Sequence, residues 1–158
     1  MADLDGDGKP DVLSGSWPGE IHWFRGQGDG KFAAAVTLQQ AGGKALQPGR
    51  ASAIAITDCN GDGKLDLLVG VIEGGLYLCL NEGTTNAHVF GKPALLEVDG
   101  QPVRVPGGDA GPCLADWDGD GLTDLLVGDF SGSGGAHHGW VWVHLRRPAA
   151  AAPATAGR

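Results

Sequence analysis

Acidic residues recur in this chain at a spacing suited to holding a hard cation. Asp3, Asp5, Asp7 and Asp11 stand at positions 1, 3, 5 and 9 of the stretch Asp3-Leu4-Asp5-Gly6-Asp7-Gly8-Lys9-Pro10-Asp11. Asp58, Asn60, Asp62 and Asp66 repeat the arrangement, and Asp116, Asp118, Asp120 and Asp124 repeat it again. Glycine holds positions 4 and 6 every time. Calcium takes six to eight oxygen ligands at short range, so several carboxylates must converge on one point. Alternate residues of a tightly wound loop can all face inward, which accounts for positions 1, 3 and 5. Glycine at position 6 permits the sharp turn and brings the carbonyl of position 7 (Lys9, Lys64 or Leu122) onto the ion. Position 9 completes the set. These residues are the expected ligands of up to three calcium ions. Asn60 keeps an oxygen but removes a charge, and loop one has only Met1-Ala2 ahead of it. Loop three, with four aspartates and strands on both sides, is the expected best site.

Asp-Gly clusters also make ordinary turns, because Asp caps its own backbone and Gly accepts positive φ. Three copies with Asp at position 9 argue for metal over turn. An EF-hand would need a bidentate Glu at position 12 and flanking helices. Position 12 is Ser14, Val69 and Val127, and each loop runs into Val-Leu-Ser-Gly or Leu-Leu-Val-Gly, too short for a helix. The EF-hand fails, and the loops feed strands.

The copies are 55 and 58 residues apart, counted from Asp3 to Asp58 and from Asp58 to Asp116. A period in this range marks stacked units that lean on their neighbours. Gly19–Arg25 aligns with Gly74–Leu80 and with Gly139–Leu145, each a short apolar or alternating run bounded by glycine. That is the strand signal. In the second unit the expected strands are Ala51–Thr57, Leu67–Val71, Leu76–Leu80 and Ala94–Val98. Small residues alternate with β-branched ones in the first of these, which suits a crowded inner strand. The fold class is all-β, built of β-propeller blades: about three four-stranded antiparallel repeats, the first and last incomplete. The units divide at about 1–48, 49–105 and 106–147, and the Ala/Pro-rich tail 148–158 is expected to be disordered.

The D-x-[DN]-G-D-G-x-x-D-[LV]-L-x-G core, three times in phase over residues 1–147, resembles the FG-GAP/VCBS repeat family, whose calcium-loop blades also build the integrin α propeller. Phe90-Gly91 is present, but no Gly-Ala-Pro follows it. The resemblance implies a β-propeller with calcium between the first two strands of a blade. It implies extracellular, cell-surface or periplasmic adhesion and ligand binding, with lectin or lyase functions in some members. A closed propeller needs at least four blades, so the chain reads as a slice of a longer one. The other possibility is closure by self-association through open blade edges.

Composition agrees with this picture. The formal charge is −8, and 11 of the 19 acidic residues lie in the three loops. The acidity belongs to the loops and argues against nucleic acid as a partner. No apolar run approaches a membrane span, and no signal peptide precedes the first loop. Cys59, Cys79 and Cys113 are an odd number without metal spacing, so free thiols are expected rather than a disulfide framework.

The expected function is a non-catalytic calcium-binding module serving adhesion, with a protein or glycan as ligand. The alternatives are a lectin-like propeller and a fragment of a polysaccharide lyase. No Gly-x-Ser-x-Gly elbow, P-loop or HExxH motif occurs, and no base–carboxylate pair can be picked for a lyase. Trp23, Phe24, Tyr77, Trp140 and Trp142 are expected in the core. Trp17, beside Pro18-Gly19, is the expected exposed aromatic. His137-His138 lacks a third zinc ligand and is expected to be solvated.

Overall fold

The computed structural model describes residues 1–133 and 136–147, so the expected tail at 148–158 lies outside the described residues. The regular elements in these residues are all strands. Unit one holds β1 (Val12–Gly15), β2 (Ile21–Phe24), a hairpin of β3 (Gly26–Gly28) and β4 (Lys31–Phe32), and β5 (Val36–Thr37). Its sheet runs β1-β2-β5, antiparallel throughout. Unit two holds β6 (Ala53–Thr57), β7 (Asp66–Gly70), β8 (Leu76–Cys79) and β9 (Ala94–Leu95), hydrogen-bonded in that order. A hairpin of β10 (Glu97–Val98) and β11 (Gln101–Pro102) comes next. Unit three holds β12 (Gly111–Ala115), β13 (Asp124–Gly128), a hairpin of β14 (Ser131–Ser133) and β15 (Ala136–His138), and β16 (Val141–His144). Its sheet runs β12-β13-β16.

The first strand of unit one is reduced to a bridge between Ala2 and Asp11, with Asp11 N–H donating to Ala2 at 2.7 Å. Thr57↔Asp66 and Ala115↔Asp124 are the matching pairs in the other sheets. One expected strand is corrected. Ala94–Val98 does not run through, because Asp99 and Gly100 both adopt left-handed backbone (φ 52° and 73°) and fold Glu97–Val98 back on Gln101–Pro102. An Asp-Gly pair at positive φ is the two-residue hairpin turn.

The core lies between the sheets. Side chains alternate across a strand, and β7 shows the consequence, all five of its residues being buried. Leu67 and Val69 pack with Ile21, Leu38, Leu46 and Phe90 on the side of sheet one. Leu68 packs with Val103, Val105, Ala110 and Val127 on the side of sheet three. Strand β6 lies between β1 and β12. The middle sheet is therefore buried on both faces, while each outer sheet buries one.

Close stacking requires glycine at position 13 of the repeat. A β-carbon on Gly15 would overlap the carbonyl oxygen of Ser52, and one on Gly70 would overlap that of Ala110. Gly128 is the same position in unit three, where a β-carbon would come no nearer than 3.8 Å to Gly111 O. Gly70→Ala should therefore destabilise by about 1–3 kcal/mol, the usual cost of overpacking, while Gly128→Ala should be close to neutral. Thermal melts of the two variants side by side check this.

Candidate functional site

Each acidic loop is wound by glycines in the left-handed region, with φ of 69° and 83° at Gly6 and Gly8, 80° at both Gly61 and Gly63, and 78° and 84° at Gly119 and Gly121. A β-carbon would strain these angles. The winding folds the backbone around the position 1 carboxylate. Asp3 accepts N–H bonds from Asp7 at 3.0 Å and Gly8 at 2.8 Å. Asp58 accepts from Gly61 at 2.7 Å and Gly63 at 2.8 Å, and Asp116 from Gly119 at 2.8 Å and Gly121 at 3.0 Å. Position 5 is set in the same way: Asp7, Asp62 and Asp120 accept the N–H of Lys9, Lys64 and Leu122. The side chains at positions 1 and 5 are thus held in place by the loop's own backbone.

Two loops bring three carboxylates together. Oxygens of Asp3, Asp5 and Asp11 lie within 4.8 Å of one another, as do those of Asp116, Asp118 and Asp120. Such clusters can hold a divalent ion, since like charges this close favour a shared cation. The membership differs from the expected equal sets. Position 9 joins the cluster in loop one, whereas in loop three the cluster is positions 1, 3 and 5. In loop two, Asn60 takes position 3 and accepts the Asp62 N–H at 3.0 Å. Basic side chains also reach the loops. Arg25 pairs with Asp5 and, at 3.1 Å, with Asp7. Lys64 meets Asp62 at 3.1 Å, and Arg147 meets Asp118 at 3.5 Å. Lys9 is exposed beside Asp7, whereas Lys64 and Leu122 are half-buried.

Position 9 has a second role that its spacing did not reveal. Asp11, Asp66 and Asp124 are almost fully buried. Each carboxylate accepts one N–H from position 2 of its own loop and one from the second residue past the third strand of its unit. Asp11 bonds Leu4 at 2.9 Å and Gly26 at 2.6 Å. Asp66 bonds Cys59 at 2.9 Å and Asn81 at 2.8 Å. Asp124 bonds Trp117 at 2.8 Å and Arg146 at 2.7 Å. The Arg146 and Trp117 amides hold the Asp124 carboxyl below the usual aspartate range. Gly26, Asn81 and Arg146 differ in type because only their backbone takes part, so no side-chain signal marks them.

Two of the thiols, Cys59 and Cys79, are chemically quiet. Burial, reinforced by Asp66 and Asp58, pushes Cys59 up to about 11. Burial and Asp66 push Cys79 up to about 12. Both stay protonated near neutral pH, and a protonated thiol is a poor nucleophile. The aromatics divide. Trp23 and Tyr77 pack against the core as expected, and Trp17 is 66% exposed as expected. Trp140 at 66% and Trp142 at 41% are exposed, which corrects their assignment to the core. His138 is exposed, and the side chain of His137 lies outside the described residues.

These features define a repeat-built all-β protein whose surface carries acidic clusters able to bind a divalent ion. The model of the FG-GAP-like repeat matches twice, over residues 3–69 and 58–127, each match running from one acidic loop through the next. The chain belongs to the FG-GAP-like repeat family. Repeats of this family are non-catalytic, and the chain is a non-catalytic module. Neither a curated protein nor a solved structure matches it.

Because Asp66 closes its loop onto strand β8, Asp66→Asn should destabilise the protein even in chelator. An amide offers N–H where a buried N–H donor already points, and an unsatisfied buried group costs about 1–3 kcal/mol. A lowered melting temperature in EDTA is the expected result.

Proposed function

We propose that the chain is a calcium-binding FG-GAP-type module of β-propeller blades, in which calcium fixes the acidic loops and the stacked sheets present a face to a protein or glycan ligand. The observation that carries this is the repeated winding of backbone N–H groups around position 1, which sets up the acidic oxygens before any ion arrives. Calcium suits the site better than magnesium, since magnesium demands near-ideal octahedral geometry and sheds water reluctantly. The expected ligands are the side chains of Asp3, Asp5, Asp7 and Asp11, of Asp58, Asn60, Asp62 and Asp66, and of Asp116, Asp118, Asp120 and Asp124. Carbonyls of Lys9, Lys64 and Leu122 complete the three sets.

The propeller geometry is supported by the placement of β6, the first strand of unit two, between β1 of unit one and β12, the first strand of unit three, as expected for blades stacked side by side. The units would be 1–48, 49–105 and 106–147, with further blades or a second copy completing the ring. Loop three is proposed as the tightest site, because the basic side chain paired with it among the described residues, Arg147, is mostly exposed and 3.5 Å from Asp118. Loop two is proposed as weaker, since Asn60 removes a charge and Lys64 lies against Asp62. Loop one has Arg25 across two of its carboxylates, and an ion there must share them. An extracellular adhesion setting is proposed on the strength of the family.

Melting curves in EDTA, in calcium and in magnesium test this reading. An ion that binds the folded state alone stabilises it by about 2.7 kcal/mol per site at a hundredfold excess over Kd. A calcium-specific rise in melting temperature is expected, and Asp120→Ala should reduce it. A cooperative transition indifferent to calcium would overturn the proposal.

A further inference from the structure

Unit three departs from its neighbours immediately after its motif glycine. Position 14 of the repeat is Ser16, Val71 and Asp129. Val71, 2% exposed, packs its methyl groups against Gly49. In the same place against Gly107, unit three puts the carboxylate of Asp129. Asp129 Oδ2 accepts the indole N–H of Trp142 at 2.9 Å and the Gly107 N–H at 3.3 Å, and Oδ1 accepts the Trp140 N–H at 2.8 Å. The Trp142 indole, with the Trp140 and Gly107 amides, keeps this carboxyl below the ordinary aspartate range, so it stays ionised near neutral pH. An apolar plug has become an anchor that fixes one tryptophan ring by its edge and leaves the face open.

Trp140 and Trp142 are two residues apart in the extended run into β16, so they share a face. Trp142 pairs with Val127, which packs towards sheet two. Val141 and Val143 point the other way, to the free face of sheet three. The exposed tryptophans therefore lie apart from the surface that a following unit would cover. Together with Asp129, Ser131, His138 and Gly107 they line an open pocket of about 270 Å³.

We propose that this pocket binds a neutral sugar ring, with Trp140 and Trp142 as stacking surfaces and Asp129, Ser131 and His138 as hydrogen-bonding groups at its rim. Small-molecule sites are mostly apolar, carry a few placed polar groups and begin at roughly 300 Å³, so this one suits a single ring better than an extended peptide. Tryptophan offers a broad rigid face to the C–H side of such a ring. An ionised carboxylate has about four acceptor sites, and three N–H donors use three of them, leaving one for a hydroxyl. Among the described residues no lysine or arginine lines the pocket, and Asp129 repels anionic ligands. The carboxylate sits at the indole edge and not beneath its face, which favours a flat neutral ligand over a caged cation. No calcium-loop residue contributes, so the proposal stands independently of the calcium reading.

The test uses the full chain in calcium-containing buffer, with the tryptophan indole N–H resonances followed by NMR. Glucose, galactose, mannose and N-acetylglucosamine are titrated separately, with choline chloride and glucuronate alongside. At least one neutral sugar should shift the Trp142 resonance. Trp140→Ala should weaken that sugar about tenfold, as loss of one aromatic contact would. The variant keeps the backbone N–H that Asp129 needs, and Trp140→Phe should retain most of the binding. Silence with all four sugars would overturn the proposal. So would a response to choline or glucuronate alone, or self-association that Trp140→Ala abolishes.

Discussion

The structure depends on a buried carboxylate used three times. Asp11, Asp66 and Asp124 each tie the start of an acidic loop to the end of the third strand of the same unit. A carboxylate taken out of water is costly unless its oxygens are satisfied, and hydrogen bonds to a charged group contribute about 1.5–3 kcal/mol each. With one amide donor on each oxygen, the cost of burial is offset and the sheet edge is closed. Loop conformation and sheet integrity thereby become one event. Anything that organises the loop, a bound cation above all, would also hold the strands.

A second constraint governs how the sheets meet. Each unit contributes strands of only two to five residues, too little to bury an apolar face by itself. Stacking buries the remainder, and β7 shows it most fully, with Leu67 and Val69 serving one interface and Leu68 the other. Gly15 and Gly70 let the next unit's backbone cross at van der Waals range. Phe90 joins in by pairing with Gln40 of unit one while its side chain is fully buried between the first two sheets. Unit three keeps the motif but changes the residue after its last glycine, and Asp129 in the place of Val71 turns a packing position into the wall of a pocket.

Much of this is legible in the sequence, and the reasons are local. Position 1, 3 and 5 oxygens and the glycines between them are fixed by the winding of a few residues, so spacing alone exposes the loops. Strand alternation and the 55- and 58-residue offsets place most strands, and the break after Ala94–Leu95 reflects an Asp-Gly turn that the apolar pattern does not register. The hidden features involve partners distant in sequence. The amides of Gly26, Asn81 and Arg146 leave no trace in side-chain type. Trp140 and Trp142 have the composition of core residues, and only the fold shows that the face they share stays open. Asp129 is visible in the sequence as a departure from Ser16 and Val71, but its meaning requires the indole beside it.

The central claim is that an ion in the loop would be felt in the sheet through the position 9 carboxylate. Amide hydrogen exchange at Gly26, Asn81 and Arg146, measured in EDTA and in calcium, tests it most directly, because these amides donate to Asp11, Asp66 and Asp124. Exchange reports the free energy of local opening. The account predicts that calcium slows all three together, along with the loop amides. Slowing confined to the loops, with these three amides unchanged, would contradict it.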